Sequence, residues 1–262
     1  MESLSIDLIL SAFLVFVRVS ALVMTAPFFS TSAFPAQIKI YFSIVTSVML
    51  FSVIPSDSVF LSAESGVIFI VSAIILEALV GIALGLIGQL VFAGLEMAGM
   101  LISLNSALSF ANMVDTMTQK QSAIISNLFT LVAVLVFLSI DGDKVYISAL
   151  VKSFDLIPIN EAEIHLAGPY MLEIATYLFV IGVQITTPFI IVIFLLDVSI
   201  AIFARIMPQA NMMFIAFPIK VGVGLSLLLL SVPYLPTAFE MMFLQLYDFL
   251  AEIIGIIAPG IN

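Results

Sequence analysis

Five ionisable side chains lie within long apolar stretches of the sequence: Arg18, Glu77, Glu96, Glu173 and Asp197. A charge inside a membrane-spanning segment costs roughly 2.5–3.5 kcal/mol, so such groups usually face protein or a water-filled path. Two kinds of chemistry are therefore open, a relay of protons or ions and an ion pair between helices. Because no ladder of paired carboxylates runs along any stretch, the sequence favours the ion pair.

Glu77 shares a helical face with three small residues at four-residue spacing, Ala73, Gly81 and Gly85. Small residues let a second backbone approach closely, so this is predicted to be a packing face. Glu77 then pairs with a cation on a neighbouring helix, for which Arg18 is a candidate, or bonds to a neighbouring subunit.

Asp197 lies eight residues before Arg205, which directly follows the same apolar stretch. Eight residues span roughly 12 Å of a straight helix, too far for a direct ion pair. Both side chains therefore need other partners.

Composition excludes most other site types. Of the 262 residues 63% are hydrophobic and 9% charged, with a mean hydropathy of +1.32, as in a polytopic membrane protein. No cysteine and one histidine, His165, leave little for thiol chemistry, a zinc site or a catalytic triad. A net charge of −10 without a basic block argues against nucleic-acid binding. We expect no catalytic residue, metal or cofactor, and hence no enzyme.

Apolar runs define the elements that must position these groups. There are six such runs, at about 6–26, 38–54, 66–104, 123–140, 169–204 and 212–231. Counted at one crossing each, they give six crossings of the membrane. A seventh, more acidic helical stretch is predicted at about 238–257, with an interfacial or partner-packed role.

The third and fifth runs exceed the roughly 20 residues of one membrane span. The third is expected to be tilted, to break near 94–99 or to lie partly outside the bilayer, and the fifth to kink at Pro188. The stretch 144–168 reads as water-exposed.

Proline and glycine recur within and directly after the last two apolar runs. Broken helices are tolerated in membranes where a neighbouring chain or a cavity satisfies the freed backbone groups. Several breaks within about 45 residues predict hairpins that do not simply cross the bilayer. The residues concerned are Pro188, Pro208, Pro218, Pro233, Gly222 and Gly224.

An apolar helical face interrupts the most polar interior stretch, 105–121. Phe110, Met113, Val114 and Met117 recur at i, i+3, i+4 and i+7. Methionine conforms well to irregular or changing surfaces. The pattern fits either a plug over an opening or a re-entrant turn packed on its own core.

The run 208–225 resembles the signature of the FliR family, the export-gate proteins of flagellar type III secretion. Further resemblance lies in Arg18 within the first helix, in Glu77 before its glycines, and in 98–111. The chain departs from the family pattern at 105–107, where the family usually has Gln, Met and Gly, and at 115–116, where it usually has Asp-Pro. The residues that carry the signature are Pro208, Gln209, Asn211, Pro218, Lys220, Gly222 and Gly224.

The resemblance implies an all-α polytopic membrane protein of long, broken helical hairpins. It implies one export-gate domain over 1–262, in which a FliP-like part, about 1–180, is fused to a FliQ-like hairpin, about 181–262. One copy would assemble with FliP and FliQ in the bacterial inner membrane, at the flagellar basal body, and meet the export components FlhA and FlhB.

The same resemblance implies a gated channel for unfolded export substrates. Charged residues such as Arg18, Glu77, Glu96 and Asp197 would be buried or lie between subunits. The rival hypothesis is a proton-coupled small-molecule secondary transporter that uses Glu77 or Asp197 at broken helices. The residues that would form the plug are Leu108, Phe110, Met113, Val114 and Met117.

Overall fold

A computed structural model describes residues 2–30, 35–54, 66–108, 124–209 and 211–260. The described residues form helices and no strand, which confirms the predicted all-α class. A short 3₁₀ turn, Ile164–Leu166, precedes α7. The α-helices are α1 Glu2–Thr25, α2 Pro27–Ser30, α3 Ala36–Phe51, α4 Val67–Asn105, α5 Ile124–Ser139, α6 Gly142–Leu156, α7 Ala167–Ile206, α8 Met212–Ser231 and α9 Leu235–Ile257.

Helix α4 runs for 39 residues without a break, so the break considered near 94–99 is absent. Its glycines there serve close contacts instead. A methyl group added at Gly99 would lie 2.7 Å from the Cα of Ser126, and one at Gly94 would lie 3.3 Å from the carbonyl oxygen of Leu178. Close packing, and not a helix break, explains these two glycines.

Helix α7 runs for 40 residues and continues through Pro188. The kink predicted at this position does not end the helix. The hydroxyls of Thr186 and Thr187 donate to carbonyls one turn back, those of Gly182 and Val183, at 2.8 Å each. These bonds reach the two carbonyls that precede that of Gln184, which is the carbonyl deprived of its helical donor by Pro188.

The first part of the stretch 144–168, which is predicted to be water-exposed, belongs instead to helix α6. Asp141, with a left-handed φ of 58°, lies directly before this helix. Along α6, Val145, Tyr146, Leu150 and Phe154 are buried. Composition alone does not reveal this amphipathic helix, because its charged residues give it the average polarity of a water-exposed segment.

Four described helices are long and apolar enough to cross a membrane, or five if α5 and α6 form one broken span. The hydropathy count of six single crossings is therefore too high for the described residues. The second apolar run forms α3, whose 16 residues reach only about 24 Å of a roughly 30 Å hydrocarbon layer.

The chain forms two compact units that alternate along the sequence. Unit 1 comprises Met1–Val91, Asp141–Ala175 and Phe243–Asn262, and unit 2 comprises Phe92–Ile140 and Thr176–Met242. This division follows contacts, whereas the predicted change near residue 180 follows family resemblance, so that boundary stays a prediction.

Each unit has its own apolar core. In unit 1, α9 buries Phe243, Leu246 and Leu250, so this side of the helix packs within the chain. The interfacial or partner-packed role predicted for the helix stays a prediction for its exposed side. In unit 2, the rings of Phe129 and Phe239 meet edge to face at 5.5 Å.

Candidate functional site

Arg18 and Glu77 form a buried ion pair in unit 1. Nε of Arg18 donates to Oε2 of Glu77 at 2.6 Å and Nη2 donates to Oε1 at 3.0 Å, and both side chains are 0% exposed. The backbone N–H of Asn160 donates to Oε1 at 3.3 Å. The interhelical pair that the sequence favoured is therefore present in its bidentate form, the strongest geometry for these two groups.

The rest of the Arg18 guanidinium binds the end of α6. Nη1 donates to the carbonyl of Ser153 at 2.9 Å and to its Oγ at 3.2 Å, and Nη2 donates to the carbonyl of Ile157 at 3.1 Å. The carbonyl end of a helix attracts a cation. The guanidinium carbon also lies 4.1 Å from the centre of the Phe154 ring. Arg18 thus ties α1, α4 and α6 together, an arrangement suited to holding helices and not to moving protons.

The glycines that follow Glu77 on α4 explain how α1 comes so close. A methyl group at Gly81 would overlap the carbonyl oxygen of Arg18, and one at Gly85 would overlap the hydroxyl of Thr25. The packing face predicted from this spacing is present. Without these glycines the two helices could not bring Arg18 and Glu77 together.

A second ion pair joins α7 and α8 in unit 2. Nζ of Lys220 lies 2.5 Å from Oδ1 of Asp197, with the Lys220 side chain 24% and the Asp197 side chain 45% exposed. Lys220 is the partner that Asp197 needed, while Arg205 is exposed near the end of α7. This pair neutralises both charges beside an apolar surface.

Glu96 and Glu173, which lie in the third and fifth apolar runs, are exposed. Neither forms an ion pair within the part of the chain that the structure describes. In the same described part, no group of three or more histidine or acidic residues is arranged to hold a metal ion.

The signature residues lie at and after the turn between α7 and α8. Pro208 and Gln209 form the turn, and Asn211 precedes α8. Pro218, Lys220, Gly222 and Gly224 lie within α8. The signature thus shapes one helical hairpin.

A broad apolar surface is exposed on the second half of α7 and on α8. This surface, called here the α7–α8 face, offers large side chains that the described chain leaves uncovered. Its members include Ile191, Phe194, Leu195, Ile202, Phe203, Phe214, Leu225, Leu229 and Leu230.

The end of α4 holds features that the sequence reasoning missed. Ser103 and Ser106 are buried, and their hydroxyls have no hydrogen-bond partner among the described residues. Ala107 follows with a left-handed φ of 60°. The one available signal was the departure at 105–107, since Ala107 stands where the family usually has glycine.

Of the predicted plug residues, only Leu108 falls within the described part, where it is partly buried. Phe110, Met113, Val114 and Met117 lie outside the described residues.

Comparison with known families decides where this chain belongs. A family model described as "Bacterial export proteins, family 1" matches residues 9–246, nearly the whole chain. The chain belongs to this family. Membership confirms the resemblance read from the run 208–225.

Named members of this export family are similar to the chain over most of their length, and each is named flagellar biosynthetic protein FliR. The protein from Pectobacterium carotovorum is 30% identical over 241 residues, 91% of this chain and 90% of its own. That from Aquifex aeolicus is 34% identical over 234 residues, 88% and 87% of the two chains. That from Escherichia coli is 28% identical over 239 residues, 91% and 90%.

Membership of the export family fixes the broad role of the chain. It is a component of the flagellar export apparatus and not an enzyme. With at least four apolar helices of spanning length among its described residues, it is a membrane protein of that apparatus.

Proposed function

We propose that this chain is one subunit of a gated channel that passes unfolded export substrates across the bacterial inner membrane at the flagellar basal body. FliP and FliQ would supply the other subunits, and FlhA and FlhB would adjoin the channel. The main observation behind this proposal is the α7–α8 face. This broad apolar surface is not covered by the described residues of its own chain, and the chain belongs to an export family.

Helix length supports an assembly over a lone bundle. Helices α4 and α7 have 39 and 40 residues, roughly 60 Å each, about twice the hydrocarbon thickness. The parts of these helices outside the bilayer still carry apolar side chains. Neighbouring subunits are the surroundings that would keep such side chains from water.

The two-part organisation is proposed with the same role. Residues 1–180 would take a FliP-like place in the ring of subunits, and 181–262 a FliQ-like place. The turn at 208–209, between α7 and α8, supports a hairpin in the second part. The ion pair between Asp197 and Lys220 leaves neither of these two charges isolated in that hairpin.

The plug is proposed within the segment that links α4 and α5. A pore that passes many different side chains must bind none tightly and must block ions when idle. An apolar constriction excludes water and ions, and methionine thioethers repack around whatever passes. Leu108, Phe110, Met113, Val114 and Met117 would form this constriction.

The test uses the complete complex. Phe110, Met113 and Met117 are changed together to glycine, and cells are assayed for small-ion leak and for flagellar export. We expect leak to rise several-fold, because the apolar constriction is gone. The control changes Asn112, Thr116 and Thr118 to glycine, which adds similar backbone freedom but removes no large apolar side chain.

Two outcomes would contradict the proposal. One is unchanged leak in the Phe/Met variant, with assembly intact. The other is a chain that purifies from detergent alone, with FliP and FliQ absent from the fraction although coexpressed.

The rival transporter function loses the groups that it needs. Glu77 is held by Arg18 and the Asn160 amide, and Asp197 by Lys220. Both carboxylates therefore already have a cationic partner within the chain, so neither is open to bind a coupling ion or a solute.

A further inference from the structure

Three features at the end of α4 oppose the conformation that the structure adopts there. The hydroxyls of Ser103 and Ser106, residues that are 1% and 0% exposed, have no partner among the described residues. A buried hydroxyl without a hydrogen bond is unfavourable, and access to water would satisfy it. Ala107 takes a left-handed φ of 60°, which its Cβ disfavours relative to glycine.

A close contact with α8 accompanies this arrangement. A methyl group added at Gly224 would lie 2.5 Å from both Cβ and Oγ of Ser106, nearer than real side chains approach. Gly222, about half a turn earlier on the same helix, has open space around its α-carbon. Only one of the two signature glycines is therefore required for packing among the described residues.

We propose that the contact between Ser106 and Gly224 is a reversible joint that sets the direction in which the chain leaves α4. The joint is closed when Gly224 seats Ser106. When it opens, water reaches the two serine hydroxyls and Ala107 leaves the left-handed region. Packing keeps the contact closed, while the two serine hydroxyls and the left-handed conformation of Ala107 favour its opening. A switchable element requires such a balance between two states.

The joint would position the proposed plug, because Leu108, the first of the plug residues, directly follows Ala107 in the sequence. Phe110 and Met113 come soon after it on the same segment. This step rests on the proposed function. Ser106 and Gly224 would be positioning residues, acting on the plug through the backbone.

The direct test measures the joint itself. The chain has no cysteine, so a Ser103→Cys variant reports access to this site through labelling by a small membrane-permeant maleimide. In the assembled complex, adding Gly224→Ala should raise the labelling rate at least tenfold, because the new methyl group displaces Ser106. Gly222→Ala is the matched control and should leave the rate unchanged, since both changes add the same methyl group to the same helix.

Rescue separates the joint from general damage to α8. Ser106→Gly removes the atoms that meet the new methyl group, so its combination with Gly224→Ala should return labelling to within about twofold of the starting rate. Ala107→Gly removes the left-handed penalty and should lower labelling, which keeps the test available if Gly224→Ala prevents assembly. Equal labelling in the Gly222 and Gly224 variants, or no decrease with Ala107→Gly, would overturn the joint.

Ion leak then tests the link to the plug. Gly224→Ala should raise small-ion leak several-fold, and Ser106→Gly should restore the seal. If labelling rises while leak does not, and the Phe/Met variant does leak, the positioning role is wrong and the channel function stands. If the Phe/Met variant itself does not leak, the channel function falls, while the labelling result still decides the joint.

Discussion

At the residue scale, the Arg18–Glu77 pair stabilises the fold only while both partners are present. Five hydrogen bonds enclose the guanidinium, and none of its surface is exposed. Removing one partner of a buried pair typically costs about 3–5 kcal/mol, because the other charge is left without compensation. The pair therefore makes unit 1 depend on two residues far apart in sequence.

We expect Glu77→Ala to lower the amount of folded chain in membranes severely, since Arg18 would remain buried and unpaired. The measurement is the yield of monodisperse complex after detergent extraction and its temperature of half-aggregation. Asp155→Ala is the control, because that carboxylate is exposed in the same unit and lies in no ion pair among the described residues. A combined Arg18→Met and Glu77→Leu variant should recover much of the loss, since apolar replacement of both partners is often tolerated. Normal yield of Glu77→Ala would contradict a structural role.

Sequence reasoning succeeded at this scale where spacing carried the information. The alignment of Glu77 with Gly81 and Gly85 predicted the packing face, and the cost of burial pointed to an ion pair. The backbone atoms of Ser153, Ile157 and Asn160 could not be foreseen as partners, because their position depends on where α6 ends. Lys220 was missed as the partner of Asp197 because the pairing depends on the register of two helices.

At the element scale, the α7–α8 hairpin combines an apolar exposed face with an ion pair between its two helices. Asp197 and Lys220 lie on different helices, so the pair fixes how one slides along the other. An exposed pair contributes little to stability in water, but a charge left alone against apolar partners is costly. The pair should therefore matter more for assembly than for folding.

Asp197→Lys should reduce recovery of FliP and FliQ with the chain several-fold, because two like charges would face each other beside the α7–α8 face. Exchanging the charges, with Asp197→Lys and Lys220→Asp together, should restore recovery. Arg205→Glu is a control on the same helix, since Arg205 lies in no ion pair within the described residues. Equal recovery of FliP and FliQ by all three variants would contradict this role of the hairpin.

Element boundaries were predictable where a strong terminator stood at the end of an apolar run. Helix α5 ends just before Asp141, and α8 and α9 begin within three residues of their predicted starts. The interiors of α4 and α7 were harder, because Gly94, Gly99 and Pro188 have the same local signal whether they break a helix or pack it. Only the neighbouring residues decide between these outcomes, and a single sequence does not place them.

At the scale of the whole molecule, the lengths of α4 and α7 set a geometric limit. The exposed residues Leu172 and Phe203 are 31 positions apart on α7, about 46 Å along the axis. A hydrocarbon layer of roughly 30 Å cannot cover both unless the helix tilts well beyond the usual 20°. Some exposed apolar positions would then lie outside lipid, where the proposed subunit partners would cover them.

Single cysteines along α7 can distinguish lipid from protein as the cover. A polar maleimide is applied from each side to Leu172→Cys, Phe179→Cys, Phe194→Cys and Phe203→Cys, with FliP and FliQ either present or absent. Lipid protects a position in both cases, whereas a partner protects it only in the complex. We expect at least one end of this series to become reactive when the partners are absent.

Leu178→Cys is the control on the same helix, because Leu178 is buried within its own unit and should stay unreactive in both preparations. If all four exposed positions remain protected without partners, the helix lies entirely in lipid at a steep tilt. The long helices would then give no support to a ring of subunits. If protection instead depends on FliP and FliQ, the apolar character of α7 reflects an interface, which explains why hydropathy predicted more crossings than the helices provide.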